Sequence, residues 1–159
     1  TRVLPQSRWN LFDRQILAWK LESVPSPAFL ASFQIIRESI EVQAARLAAR
    51  HREAEHVRLL TYWLNQRAVM AQQPEPFAMA EFEIHRVVAE ASGNPFLRAA
   101  SAIMEFGVAV SVLAQLGQDL SAPPGGLAQA HAAGYEALVR AIERGDADTA
   151  AAQMAALTR

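Results

Sequence analysis

The 159-residue sequence contains no cysteine, which excludes disulfides and thiolate-based metal sites. It also lacks a charge bias. Fifteen Lys and Arg stand against 16 Asp and Glu, for a formal net charge of −1, and no basic stripe stands out. Electrostatic binding of nucleic acid by this stretch alone is thereby excluded. No apolar run approaches the roughly 20 residues needed to cross a bilayer, and no charged-then-apolar leader opens the chain, so the expected location is the cytoplasm and no membrane partner is expected. No segment alternates apolar and polar residues long enough to form a strand, apart from the stub Thr1–Leu4. A Gly-rich phosphate loop, a G-x-S-x-G elbow, an H-E-x-x-H pair and paired aspartates are all missing, so no catalytic signature is present.

What the chain does have is apolar residues, 52% of the total, spaced for helices almost throughout. Asp13 can cap a short helix over Arg14–Glu22. Ser26 and Pro27 begin a long helix reaching about Arg50, with Phe29, Leu30, Phe33, Ile36, Ile40, Ala44, Leu47 and Ala48 on one stripe. A third helix is expected over about Arg52–Gln72, with Val57, Leu60, Leu64 and Ala68 inside, and a fourth from Pro76 to Ala91. Gly93 suits a left-handed helix stop, with Asn94 and Pro95 restarting the chain. The fifth helix, about Pro95–Leu116, is the most apolar and is expected near the centre. After a loop over Gly117–Gly126 come a sixth helix, about Leu127–Arg144, and a last one over Ala147–Leu157, separated by Gly145 and capped by Asp146. The predicted fold is all-α, a single antiparallel bundle of six to seven helices.

The informative residues are polar groups on apolar stripes. Glu81 lies on the stripe Phe77, Ile84, Val88 and Ala91, with His85 one turn on. Four-residue spacing lets a carboxylate and an imidazole share a metal or an anion network, or simply form an ion pair or a satisfied core histidine. Arg37 and Glu41 form a second such pair, readable as an intrahelical salt bridge or as a guanidinium held ready for a ligand anion. Glu105 needs a partner in its apolar helix. His131 and Tyr135 repeat the spacing on the sixth helix and could face the same interior, whereas His51 and His56 sit among charges and read as solvated.

Several of these segments resemble a known family. Glu81-Phe82-Glu83-Ile84-His85 followed by Ala91-Ser92-Gly93-Asn94-Pro95-Phe96-Leu97 is similar to the D-x-x-F-H…A-S-G-N-P-x-L core of the FCD domain, the effector-binding half of the FadR subfamily of GntR transcription regulators. Arg37-Glu38-Ser39-Ile40-Glu41…Ala44-Ala45-Arg46-Leu47-Ala48 resembles its R-x-x-I-E-x-x-A-A-x-L-A pattern. Ala141-Ile142-Glu143-Arg144-Gly145-Asp146…Ala150…Met154 resembles its A-I-x-x-G-D…A…M ending, and Trp9-Asn10-Leu11-Phe12-Asp13…Leu17-Ala18-Trp19 its linker.

The resemblance implies a division of the chain into residues 1–22, a linker and first short helix following a winged helix-turn-helix that should precede it, and residues 23–159, the effector-binding and dimerisation domain. It implies no enzyme. A homodimer would reach operator DNA only through the preceding domain. Most members of the family hold a divalent metal through an aspartate, a histidine four residues later and two further histidines. Carried over, these positions fall on Glu81, His85, Tyr135 and Leu157, so only Glu81 and His85 remain as metal ligands and no stoichiometric zinc or nickel is expected. His131, one turn before Tyr135, is a possible substitute ligand. The expected effector is instead an organic carboxylate such as a sugar acid, met by Arg37, Glu81, His85, Tyr135 and His131, with Glu81 orienting His85 or accepting an effector hydroxyl. The rival readings are a small metal-dependent enzyme using Glu81 and His85, and a purely structural dimerisation module.

Overall fold

The computed structural model describes residues 10–118, 129 and 131–159. Its described elements are eight helices, with no strand among the described residues: α1 Arg14–Glu22, α2 Pro27–His51, α3 Ala54–Val69, α4 Pro74–Ala91, α5 Pro95–Ala99, α6 Ser101–Gln118, α7 Ala132–Arg144 and α8 Ala147–Thr158. The stub Thr1–Leu4, Trp9 and most of the Gly117–Gly126 loop lie outside the described residues.

Local chemistry sets most of the boundaries. The Asp13 carboxylate accepts the Gln15 and Ile16 N–H groups at 2.8 and 3.2 Å, and Ser26 Oγ accepts that of Phe29 at 3.1 Å ahead of Pro27. Gly93 and Gly145 end their helices at φ 70° and 73°, a region an L side chain rarely enters. Asn94 and Asp146 cap the helices that follow.

Several boundaries differ from the sequence reading. Helix α3 starts at Ala54 because His56 Nδ1 accepts the Glu53 N–H at 3.0 Å, which gives His56 a capping role rather than a solvated one. Helix α4 begins at Pro74, two residues earlier than expected. The expected fifth helix is broken at Ala100, whose N–H reaches back only three residues to Leu97 O, and so becomes α5 and α6. Helix α7 starts at Ala132, after His131 in the left-handed region at φ 60°, and the expected start at Leu127 lies outside the described residues.

The centre is formed by α2 and α4, not by the most apolar helix. Helix α4 packs against α2, α3, α5 and α6, and α2 against α4, α6, α7 and α8. Being covered on several sides, α4 buries Phe77, Ala80, Glu81, Ile84, His85, Val87 and Val88 together. The buried line of α2 is Arg37, Glu41, Ala44, Ala45, Ala48 and Ala49. Of the expected stripe Ala44 and Ala48 are buried, Phe29, Leu30, Phe33 and Ile40 pack against Leu17, Ile103 and Phe106, and Ile36 is 43% exposed. Four alanines let α7 and α8 approach the α2 backbone, so small residues, not large ones, mark its inner face. The N-terminal aromatics Phe29 and Phe33 pack edge-on against Phe106 and seat α1 over α6. In α3, Leu60 is buried as expected, but Ala68 is exposed and Arg67 points inward.

A candidate effector site built on a buried polar chain

Among the described residues two arginine–glutamate pairs are buried in the interior. On α2, Arg37 Nε donates to Glu41 Oε2 at 2.7 Å, with side chains 5% and 1% exposed. Arg37 Nη1 also donates to Ser111 Oγ on α6 at 3.2 Å. Gly107 makes room for this guanidinium, since a Cβ there would lie 2.4 Å from Arg37 Nε. The second pair joins α3 to α4, where Arg67 Nε donates to Glu81 Oε1 at 3.0 Å. The Arg67 guanidinium lies 4.8 Å from the Phe77 ring centre and 4.7 Å from that of Tyr135.

His85 and Tyr135 complete the chain between them. His85 Nδ1 meets Glu41 Oε1, and His85 Nε2 lies 2.9 Å from the Tyr135 hydroxyl. A carboxylate only accepts, so in the neutral imidazole Nδ1–H donates to Glu41 and Nε2 accepts from tyrosine. Burial first, and then the Glu81 charge, push the Tyr135 hydroxyl well above its ordinary 10.0, which keeps the phenol protonated as that donor. Burial alone would raise the Glu41 carboxyl, but His85, through its Nδ1–H, and the Arg37 guanidinium outweigh it and hold the group below its ordinary 4.5.

The structure therefore brings Arg37, His85 and Tyr135 into one hydrogen-bonded path and gives Glu81 a different partner. Glu81 does not orient His85; Glu41 on α2 does, and Arg67 takes Glu81. His131 stands apart from the chain, with an exposed side chain at the start of α7. Glu105 finds its partner in Arg14 of α1 at 2.9 Å, on the surface. Arg67 was not among the residues singled out in sequence, although it lies three residues beyond Leu64 and takes the inward place expected of Ala68.

A cavity of about 320 Å³ opens at the Arg37 end, lined among others by Gln34, Arg37, Ser111, Gln115, His131 and Arg159. Gln115 Oε1 is buried there without a hydrogen-bond partner. Glu81, His85 and Tyr135 lie behind it in the closed core, none more than 3% exposed.

These features fit a domain that receives a small polar molecule, and residues 34–159 match the FCD domain family. The chain belongs to that family. It is 31% identical over 157 residues to the galactonate operon transcriptional repressor of Escherichia coli K12, covering 98% of this chain and 65% of that protein. Over 99 residues it is 31% identical to the uncharacterized HTH-type transcriptional regulator YieP of the same organism, covering 61% of this chain and 43% of that protein. Both relatives are named as transcription regulators, not enzymes. No helix of this FCD domain, among the described residues, is long and apolar enough to cross a membrane.

The divalent metal implied by the family resemblance does not fit the donors of this FCD domain. Among the described residues no three His, Asp or Glu side chains converge. Of the four corresponding positions, Glu81 is held by Arg67, His85 Nε2 faces the Tyr135 hydroxyl, and Leu157 is an apolar side chain packed in the main core.

Proposed function

We propose that this FCD domain is the ligand-sensing and dimerisation half of a GntR-type transcription regulator, and that its effector is a small hydroxylated carboxylate taken into the cavity at Arg37. The observation that carries the reading is a guanidinium at the cavity wall, held by Glu41 and Ser111. A guanidinium has five donors in a fork, and two hydrogen bonds fix its orientation without using them all. A carboxylate binds such a fork more strongly than a neutral group does. The bare Gln115 Oε1 calls for a donor, which a hydroxyl supplies and a second carboxylate does not. The likeness to a galactonate operon repressor supports a sugar acid as the class.

In this reading Arg37 and His131 meet the effector directly. Glu41, His85 and Tyr135 hold Arg37 from behind, and Glu81 contributes through Arg67. Effector binding changes the packing of α2 and α6, and a homodimer conveys that change to two winged helix-turn-helix domains on operator DNA in the cytoplasm. Thermal-shift assays with galactonate, gluconate and acetate test it. The two sugar acids should raise the melting temperature and acetate should not, and Arg37→Gln should abolish the shift while the variant remains folded. An undiminished shift in Arg37→Gln, or a purely monomeric full-length regulator in sedimentation, would refute the reading.

A further inference from the structure

The misfit between this core and a metal has a specific chemical cause. The two buried carboxylates, Glu41 and Glu81, are already matched by two buried guanidiniums, Arg37 and Arg67. A divalent ion added to a balanced cluster would leave two uncompensated positive charges among side chains that are no more than 4% exposed. Its donors are engaged as well. Glu81 Oε1 accepts from Arg67, and the imidazole nitrogen not facing Glu41 is within hydrogen-bond distance of Tyr135. The Arg67 guanidinium also lies against the Tyr135 ring at 4.7 Å, so it occupies the space between two of the four ligand positions. A planar, weakly hydrated cation stacked on rings tolerates such a place better than an ammonium would.

We propose that Arg67 is the resident cation of this core: it replaces a divalent metal as the positive charge that holds Glu81 and Tyr135 together, and its presence excludes the metal. The absence of histidine at positions 135 and 157 is then matched by the arginine at 67, an exchange of one cation for another. The exchange makes the charge of the core permanent, because a guanidinium does not dissociate with metal supply or chelators and does not lose its proton.

The test rebuilds the ligand set with and without the cation. The double variant Tyr135→His with Leu157→His, and the triple variant that adds Arg67→Met, are refolded with one equivalent of zinc and desalted. Zinc content is then measured by elemental analysis and melting temperature by circular dichroism. The triple variant is expected to keep about one zinc per chain, and zinc should raise its melting temperature by several degrees; the double variant should keep none and show no shift. Replacing Arg67→Met by Arg67→Lys, which retains a cation, should again exclude the metal. If the triple variant folds only when zinc is present, that dependence supports the exchange. Stoichiometric zinc in the double variant or in the unmodified domain would overturn it, as would a triple variant that takes up no zinc.

Discussion

The two arginine–glutamate pairs of the core have the same chemistry and different origins. Arg37 and Glu41 lie four apart on one helix, so their meeting is nearly assured once α2 forms. Arg67 and Glu81 are brought together by the packing of α3 on α4. Both arginines border a cavity, but Arg37 is braced by Ser111 at the end of the bundle, whereas Arg67, at the floor of a cleft between α3 and α7, lies against the Phe77 and Tyr135 rings. The first is fixed by hydrogen bonds within and beside its own helix, the second by contacts between helices. A buried ion pair does not by itself indicate function; what its remaining donors face does.

The largest difference should appear on breaking the pair between α3 and α4. Arg67→Met leaves Glu81 as an uncompensated buried charge and should cost about 3–5 kcal/mol in urea unfolding. Arg67→Met with Glu81→Leu should recover much of that loss, because both charges are then gone. A double variant as unstable as the single one would show that the pair matters for its shape rather than its charge balance.

Gly107→Ala probes the Arg37–Glu41 pair from outside. Its Cβ would meet Arg37 Nε at 2.4 Å, so the guanidinium must move, at about 1–3 kcal/mol. Sugar-acid affinity should fall with it, while Arg67 and Glu81 remain undisturbed. Equal affinity in calorimetry would detach Arg37 from the effector site. Tyr135→Phe removes the hydroxyl beside His85 Nε2 and should cost about 1–3 kcal/mol, with a smaller effect on ligand affinity than Gly107→Ala.

Acid sharpens the contrast further. The Glu41 carboxyl is held below 4.5, burial opposing and His85 and Arg37 prevailing. A depressed folded-state pKa contributes stability that is fully present above the unfolded value and is lost as pH falls through the folded one. The domain should therefore lose stability on acidification below about pH 4.5, the ordinary value for the group, and Glu41→Gln should flatten that part of the profile. An unchanged slope would assign the acid sensitivity to other carboxylates. The smallest effect belongs to the surface pair. Arg14→Ala removes the partner of Glu105, but the Arg14 side chain is 78% exposed, so less than about 1 kcal/mol is expected.

Where the sequence was legible follows the same division between local and distant causes. The caps at Asp13, Ser26, Asn94 and Asp146 and the stops at Gly93 and Gly145 depend on a few neighbouring residues, and all were readable. The pairing of Arg37 with Glu41 was readable for the same reason. The partners of Glu81 and His85 were not, because a four-residue spacing places both on one helical face without saying which helix packs there. On α2 the expected stripe holds at Ala44 and Ala48 and fails at Ile36, while Ala45 and Ala49 are buried as well because close helix approach favours small residues. His131 looked interior by spacing from Tyr135, but its left-handed backbone starts the helix and turns the side chain outward to the cavity rim. Gln115 carried no signal at all, since only the packed cavity reveals its unmatched oxygen.

The most direct test of the account is a crystal structure of the domain with galactonate. The carboxylate should lie within hydrogen-bond distance of Arg37, with a hydroxyl donating to Gln115 Oε1 and the Arg67–Glu81 pair intact behind it. Galactonate seated instead in the cleft between α3 and α7 beside Asn65 and Arg140, or a metal bridging Glu81 and His85, would contradict it.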